Sequence, residues 1–391
     1  MIIGVPKESY PGERRVALVP TVVPNLAKAG FQVIVEAGAG QEAGYPDAQY
    51  KDKGASIAPD RAAVFSGADV IVQVLCNGAN DITGQADLPL LKRGQILLGF
   101  MRPLGSAETV TQLAKAGVKA FAVELIPRTT RAQSMDALSS MATISGYKAV
   151  IDAADALPRI FPMMTTAAGT ITPARVLILG VGVAGLQAIA TARRLGAVVS
   201  AYDVRPAVKE QVQSLGARFV ELAIEAKDAQ DARGYATAQD ENFYNKQREL
   251  LGKVVADSDV VITTAVIPGK KAPTLVTADM VKGMAPRSII LDLAAERGGN
   301  CELTRAGQNV IEHGVTIMGP INLASTVPYH ASQMYSKNLT NFLLNLVKDG
   351  KLRPASEDDI IRETLLASDG EIMNPRVREA FKLPQLAAQS T

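Results

Sequence analysis

A chain of 391 residues, 47% hydrophobic and only 5% aromatic, is long enough for two globular domains with cores of Val, Ile, Leu and Ala. Its 41 basic and 39 acidic residues leave a net charge of +2 with no block of like charge, so neither nucleic acid nor an anionic lipid surface is indicated as a partner. Cys76 and Cys301 stand far apart and form no C-x-x-C pattern, which argues against a disulfide framework or a metal site and fits a reduced, cytoplasmic setting.

No secretory signal opens the chain, because Pro6, Lys7 and Glu8 interrupt the first apolar residues. Strands and helices then alternate: a strand over 2–5, a helix over 22–29 stopped by Gly30, and a strand over 31–36. Gly38-Ala39-Gly40 reads as a strand-to-loop turn, since no helix, following strand and acid support it at the right spacing. Strands over 68–74, 96–100 and 119–124, with a helix over 107–116, continue a parallel α/β domain. A long helical pattern over 135–157 bridges into the next domain.

Residues 174–203 then follow the order of a nucleotide-binding βαβ unit. Val176 to Leu179 is a buried strand, and Gly180-Val181-Gly182-Val183-Ala184-Gly185 supplies three glycines in G-x-G-x-x-G order. Gly180 permits the tight turn, Gly182 lets backbone approach a pyrophosphate, and Gly185 lets the helix pack on the sheet. The phosphate charge falls at the N-terminus of a helix predicted over 186–195. A second strand over 197–202 delivers Asp203, whose carboxylate suits ribose hydroxyls and repels a 2′-phosphate. The expected nucleotide is NAD(H), although Arg205 lies two residues further on and an arginine there can pair with a 2′-phosphate. The run 176–192 includes Gln187 and three glycines and is short of the ~20 residues of a membrane span, so no direct membrane insertion is expected.

Beyond Asp203 a helix over 207–215 and strands over 218–221, 259–263 and 288–292 complete this domain by about residue 320. The polar segment 225–245, carrying Gly234-Tyr235, is too long for an ordinary connection and is either a surface insertion or a mobile loop near the site. A helix over 330–347 follows Pro328 and is expected to return to the first domain. The fold class is therefore α/β, with two Rossmann-like parallel-sheet domains separated by a cleft. Residues 1–137 plus 328–391 form one, and residues 138–327 form the dinucleotide domain.

A dehydrogenase acting on a hydroxy or amino acid needs a proton-transferring side chain beside the hydride acceptor. Only two histidines are present: His313 precedes Gly314 in a turn pattern and His330 begins a helix. Carboxylates and lysines leave acid–base chemistry open. Hydride transfer between two nicotinamides needs positioning alone. Residues 127–140 offer Arg128, Gln133, Asp136 and Ser139 for a carboxamide and a ribose; the other reading is a charged loop with an Asp in the first turn of a helix.

Taken together, Arg131-Ala132-Gln133-Ser134-Met135-Asp136, the stretch from Gly180 to Gly185, Asp203-Val204-Arg205-Pro206, Thr263-Thr264-Ala265, Ile267-Pro268-Gly269-Lys270, Asp292-Leu293-Ala294 and Gly298-Gly299-Asn300-Cys301 resemble the NAD(H)-binding component of proton-translocating NAD(P) transhydrogenases, relatives of alanine dehydrogenase. The resemblance runs over nearly the whole chain. It implies that Arg128, Thr129, Thr130, Arg131, Gln133, Asp136 and Ser139 serve the nicotinamide end of NAD(H), with Arg128, Gln133, Asp136 and Ser139 in the hydride-transfer site. Gly180, Gly182, Val183, Ala184, Gly185, Asp203, Val204 and Arg205 would hold the dinucleotide, and Thr264, Ala265 and Val266 would line its adenosine and pyrophosphate side. Gly234 and Tyr235 match the family's mobile loop, and Gln247 lies just beyond it.

Alanine dehydrogenases carry a lysine and a histidine where this chain reads Gln73-Val74-Leu75-Cys76 and Gly99-Phe100-Met101-Arg102. Arg15 lies in a stretch common to both groups and does not separate them. Residues 74–90 depart from the transhydrogenase pattern. The resemblance implies hydride transfer between NADPH on a partner and NAD+ here, coupled to proton translocation, with an NADP(H)-binding domain and membrane-spanning proton-channel subunits as partners. It also implies a homodimer held peripherally at the inner face of the membrane. The competing readings are an alanine-type amino-acid dehydrogenase and an NADH-sensing module without catalysis.

Overall fold

The apolar run Val70–Leu75 is buried at every position but its last, the mark of a parallel strand covered on both faces. The computed structural model describes residues 1–222, 237, 239–267, 269–348, 350–384 and 386. The chain divides into one unit of Met1–Met141 with Ser325–Thr391 and a second of Ala142–Ala324.

The first unit opens with β1 (Ile2–Val5), α1 (Val23–Lys28), β2 (Gln32–Glu36), α2 (Asp47–Asp52) and β3 (Ser56–Ala58). It continues with α3 (Arg61–Gly67), β4 (Val70–Leu75), β5 (Ile96–Phe100), α4 (Ala107–Lys115) and β6 (Lys119–Ala122). Asp60 caps α3 by accepting from the Ala63 N–H at 2.8 Å, and Ser106 caps α4 through the Thr109 N–H. Residues 37–40 form the turn expected of Gly38-Ala39-Gly40. Helix α5 (Ala137–Ala156) starts in the first unit and ends in the second.

The second unit holds the hairpin β7 (Met164–Thr166) and β8 (Gly169–Ile171), then β9 (Arg175–Leu179), α6 (Val183–Arg194), β10 (Val198–Tyr202), α7 (Lys209–Ser214) and β11 (Arg218–Phe219). After these come α8 (Glu241–Ala256), β12 (Val260–Thr263), α9 (Ala278–Lys282), β13 (Ile289–Asp292), β14 (Asn309–Glu312) and β15 (Val315–Met318). Its sheet runs β11-β10-β9-β12-β13-β15-β14, so the order reverses between β9 and β12, where doubly wound sheets bind their ligands. Every pair is parallel except β14 with β15. One face packs Ala149, Val150, Ala188, Ile189 and Ala192 against Val176, Ile178 and Val199. The other packs Leu251, Val255, Met280 and Val281 against Leu177, Leu179 and Val261.

The chain then returns to the first unit through α10 (Pro328–Leu346), the short pair β16 (Val347–Lys348) and β17 (Lys351–Leu352), α11 (Asp359–Thr364), β18 (Leu365–Ser368), β19 (Glu371–Ile372) and α12 (Pro375–Ala380). Helix α10 buries Tyr335, Leu339, Phe342 and Leu343, each contributing on the order of 2 kcal/mol. Its Ser332 and Ser336 hydroxyls accept from the Val16 and Val19 N–H groups, both at 3.0 Å.

This sheet runs β19-β18-β6-β5-β4-β1-β2-β3. β1 through β6 are parallel, but β18 and β19 extend the β6 edge antiparallel. The parallel sheet expected of this domain is present, and β18 and β19 add an antiparallel edge that the sequence reading did not include. A two-residue turn joins β18 to β19, and both Asp369 and Gly370 take positive φ, the geometry that Asp-Gly adopts in tight hairpins.

Candidate functional site

The strand β9 ends at Leu179, and the three glycines that follow each meet a different constraint. Gly180 has φ of +97°, and a Cβ there would come within 2.8 Å of Thr264 Oγ1 and 2.9 Å of the Ala265 nitrogen. A Cβ at Gly182 would meet nothing within 4 Å among the described residues, so the backbone there faces open space. At Gly185 a Cβ would fall 2.0 Å from the Gly180 carbonyl oxygen, so only glycine lets the helix pass that close to the turn. Gly180 and Gly185 thus stand where the turn and the helix leave no room for a side chain.

The helix begins at Val183, three residues before the expected start, because Gly182 is its N-cap. No side chain caps this end among the described residues, so the first-turn N–H groups are available to an anion. Val183 and Ala184 therefore belong to the helix terminus that would hold the phosphates. The helix α5 crosses the same place closely: a Cβ on Gly146 would come 2.2 Å from the Ala184 carbonyl oxygen.

Asp203 follows β10 and is 8% exposed. Its Oδ2 accepts from the Val181 N–H at 2.7 Å and from Arg205 Nη2 at 2.8 Å, while Oδ1 accepts from the Arg205 N–H at 2.9 Å and Nε at 2.8 Å. Arg205 Nη2 also donates to the Val181 carbonyl at 3.1 Å. The acid thus pins the glycine loop to the end of the second strand. Its four lone-pair positions are filled, so a ribose diol gains Asp203 only by displacing contacts of Arg205. The guanidinium that could have welcomed a 2′-phosphate is already committed to this carboxylate. Val204 lies between them and is partly covered.

Across the sheet reversal, the Thr264 hydroxyl donates to the Gly180 carbonyl at 2.9 Å and the Thr264 N–H to the Leu179 carbonyl at 2.8 Å. Ala265 is held through both main-chain groups by Asn300, and Val266 is exposed. Gln247 lies deeper than its position in sequence suggested: it is 0% exposed and donates to the Tyr202 hydroxyl at 2.8 Å. It supports the end of β10 from behind, because its place on α8 falls on the helix's buried face beside Leu251 and Val255. Gly234 and Tyr235 lie outside the described residues.

In the first unit, Arg128, Thr129, Thr130, Arg131 and Gln133 are exposed around a 3-10 segment, Thr130–Met135. Asp136 ends it and caps α5, accepting from the Ser139 N–H at 2.8 Å and the Ser139 hydroxyl at 2.5 Å. The helix-cap reading of this stretch is what the hydrogen bonds show, and the same carboxylate fixes Ser139 beside it. Arg131 turns to Asp358, at 2.7 Å from Nη1, and to Asp359. Asp358 is itself the cap of α11 and also meets Arg353 at 3.1 Å. From α10, Asn338 and Asn341 both donate to the Ser134 carbonyl at 3.0 Å. The segment is therefore tied at two points to the returning C-terminal chain.

Deeper in the same unit, β1 and β4 meet at the reversal of strand order. The Glu8 carboxylate closes this point by accepting from the Val74 N–H at 2.6 Å and the Leu75 N–H at 3.1 Å. Burial and the neighbouring Glu13 push its pKa up to about 8. Arg15 is held by Glu13 through Nε at 2.7 Å and Nη2 at 2.5 Å, both residues buried. Cys76 and Met101, which follow β4 and β5, are 0% exposed, and burial pushes the Cys76 thiol well up. His313 sits in the β14–β15 turn with positive φ, and His330 packs edge-on against Tyr329.

The family model described as alanine dehydrogenase/PNT matches this chain twice, its N-terminal domain over residues 4–145 and its C-terminal domain over residues 149–375. The chain belongs to the alanine dehydrogenase/PNT family. Within it, an NAD(P) transhydrogenase alpha subunit of Rhodospirillum rubrum is 49% identical over 378 residues, covering 96% of this chain and 98% of that protein. A solved transhydrogenase from Sinorhizobium meliloti has a TM-score of 0.83 at 42% identity, covering 96% of this chain and all of that one. A solved L-alanine dehydrogenase has a TM-score of 0.81 at 26% identity, covering 98% and 99%. Both branches of the alanine dehydrogenase/PNT family share the fold, and this chain is nearer in sequence to the transhydrogenase branch.

Sequence reading missed the partners that hold the loops. The glycine spacing shows Gly180 to Gly185 directly, but nothing near Ala265 in sequence announces Asn300, and nothing near Ser134 announces α10. The one signal overlooked was Asp369-Gly370, a hairpin dipeptide that marks the antiparallel edge.

Proposed function

We propose that this chain is the NAD(H)-binding component of a proton-translocating NAD(P)+ transhydrogenase. NAD(H) supplies the nicotinamide ring that takes or gives the hydride, and the counterpart NADP(H) is held by a partner. Gly182 and the N–H groups at the start of α6 receive the pyrophosphate, Asp203 serves the adenosine ribose, and Thr264 to Val266 border that side. Arg128, Gln133, Asp136 and Ser139 orient the nicotinamide end, with Thr129, Thr130 and Arg131 around them. No proton moves on a substrate atom, so positioning carries the catalysis.

The observation that carries this reading is a glycine turn at the strand reversal of the second sheet that leaves no room for a Cβ at Gly180 or Gly185, in a chain whose stretches Gln73-Val74-Leu75-Cys76 and Gly99-Phe100-Met101-Arg102 lack the lysine and histidine that the resemblance gives alanine dehydrogenases. The 49% identical relative is itself named as a transhydrogenase subunit, which supports it. Among the described residues no helix is long and apolar enough to cross a membrane. The reading assigns the NADP(H) domain and proton channel to partner subunits, or to further parts of a longer polypeptide, and places this chain at the inner membrane face through them. The hairpin β7–β8 carries exposed Met163, Met164 and Ile171, an apolar surface suited to a second copy; light scattering at twice 41.3 kDa supports the homodimer, and a monomer refutes it.

The test is fluorescence titration of the purified chain with NADH and NADPH, followed by an L-alanine oxidation assay. NADH should bind at least about tenfold more tightly than NADPH, given the acid at position 203, which repels a 2′-phosphate, and L-alanine should not turn over. Equal affinities would remove the NAD(H) assignment, and robust alanine oxidation would establish the dehydrogenase instead.

A further inference from the structure

Asn300 is 0% exposed and carries no role in the reading above. Its Nδ2 donates to the carbonyls of Ala265 and Pro273, each at 2.8 Å, and its Oδ1 accepts from the Ala265 N–H at 2.9 Å. One side chain therefore satisfies both main-chain groups of Ala265. Behind it, the Asn300 N–H donates to Asp292 Oδ2 at 2.7 Å. Asp292, also 0% exposed, accepts further from the Cys301 N–H, the Thr304 hydroxyl and the Thr263 hydroxyl. In front of it, Ala265 and Thr264 press on Gly180 closely enough to exclude a Cβ.

A continuous set of short contacts thus runs from Asp292 at the end of β13, through Asn300 and the Ala265 peptide, to the first glycine of the loop. We propose that Asn300 is a positioning residue for dinucleotide binding, its amide fixing the Ala265 peptide that sets the glycine loop against β12. The proposal rests on unit Ala142–Ala324 being the NAD(H) site. Only an amide fits the arrangement. Two carbonyls require N–H donors and one N–H requires an acceptor, so a carboxylate would set oxygen against oxygen, and an aliphatic side chain would leave three partly buried main-chain groups without this partner.

The experiment is NADH titration of the full chain as wild type, Asn300→Asp and Thr264→Val, each from about pH 5.5 to pH 8, with melting temperature recorded alongside. At the upper pH, Asn300→Asp should bind NADH about tenfold or more weakly. As pH falls and the new acid takes up a proton, it regains a donor for one carbonyl, so its affinity should recover toward that of wild type, which shows no such trend. Thr264→Val, which breaks only the link to the Gly180 carbonyl, should weaken NADH binding by about threefold or more with little change in melting. Wild-type affinity in Asn300→Asp at the upper pH overturns the proposal, as does an equal loss at every pH. Should Asn300→Asp fail to fold, Thr264→Val decides: unchanged NADH affinity there overturns it. Wild type failing to bind NADH would instead reject the assignment of the site itself.

Discussion

Glu8 illustrates how a single carboxylate can close a ligand-binding position with the chain's own atoms. It lies at the reversal point of the first sheet, held by the Val74 and Leu75 N–H groups, with Glu13 and Arg61 acting on its charge. In the folded chain its pKa is about 8 against an ordinary 4.5, so folding tightens its hold on the proton. Its contribution to stability is complete below pH 4.5 and is lost as pH rises through about 8. Glu8→Gln removes the titration, although its amide keeps only one of the two oxygens that accept from Val74 and Leu75. Thermal melts from about pH 5 to pH 9 should therefore show the variant gaining on wild type as pH rises, whereas parallel curves would contradict a proton held at Glu8. Sequence alone exposes Gly180, Gly182, Gly185 and Asp203, because their constraints lie within one βαβ unit. Glu8, Asn300 and Arg131 are different. Their partners stand 66, 35 and 227 residues away, and only the folded chain brings those groups together.

At the scale of elements, the start of α5 and the segment before it carry the proposed nicotinamide contacts. Asp136 has two duties there, as helix cap and as a charged group beside Ser139. Asparagine caps helices about as well as aspartate, so Asp136→Asn removes the charge and spares the helix. That variant, and Gln133→Asn, should slow hydride transfer by about tenfold or more while leaving NADH affinity within about threefold. Equal losses in both quantities, or loss of neither, would count against positioning. The tether to α10 and α11 explains why the exposed Thr130–Met135 segment keeps a defined shape. Arg131 meets Asp358, whose carboxyl is held down at about 2 despite its burial, through hydrogen bonds from Arg131 and from the Ile361 N–H. The element pattern was readable wherever apolar runs met glycine or proline stops. The edge strands β18 and β19 escaped because four and two residues give too little alternation to register.

Both units are doubly wound α/β sheets, yet among the described residues only the second carries an open glycine turn at its strand reversal. In the first unit that point is filled by Glu8, with Asp87 holding Arg61 at 2.5 Å and Gln73 at 3.0 Å nearby. The difference between the two reversal points lies in side chains and not in the architecture, which is doubly wound in both units. The proposed function gives NAD(H) to this chain and NADP(H) to a partner. The deciding measurement is therefore hydride transfer from NADPH to an NAD+ analogue, followed by absorbance, with this chain and a recombinant NADP(H)-binding transhydrogenase domain supplied separately and together. Transfer only when both proteins are present is the predicted result. NADH binding without transfer in any mixture would contradict the account and leave a sensing module in its place.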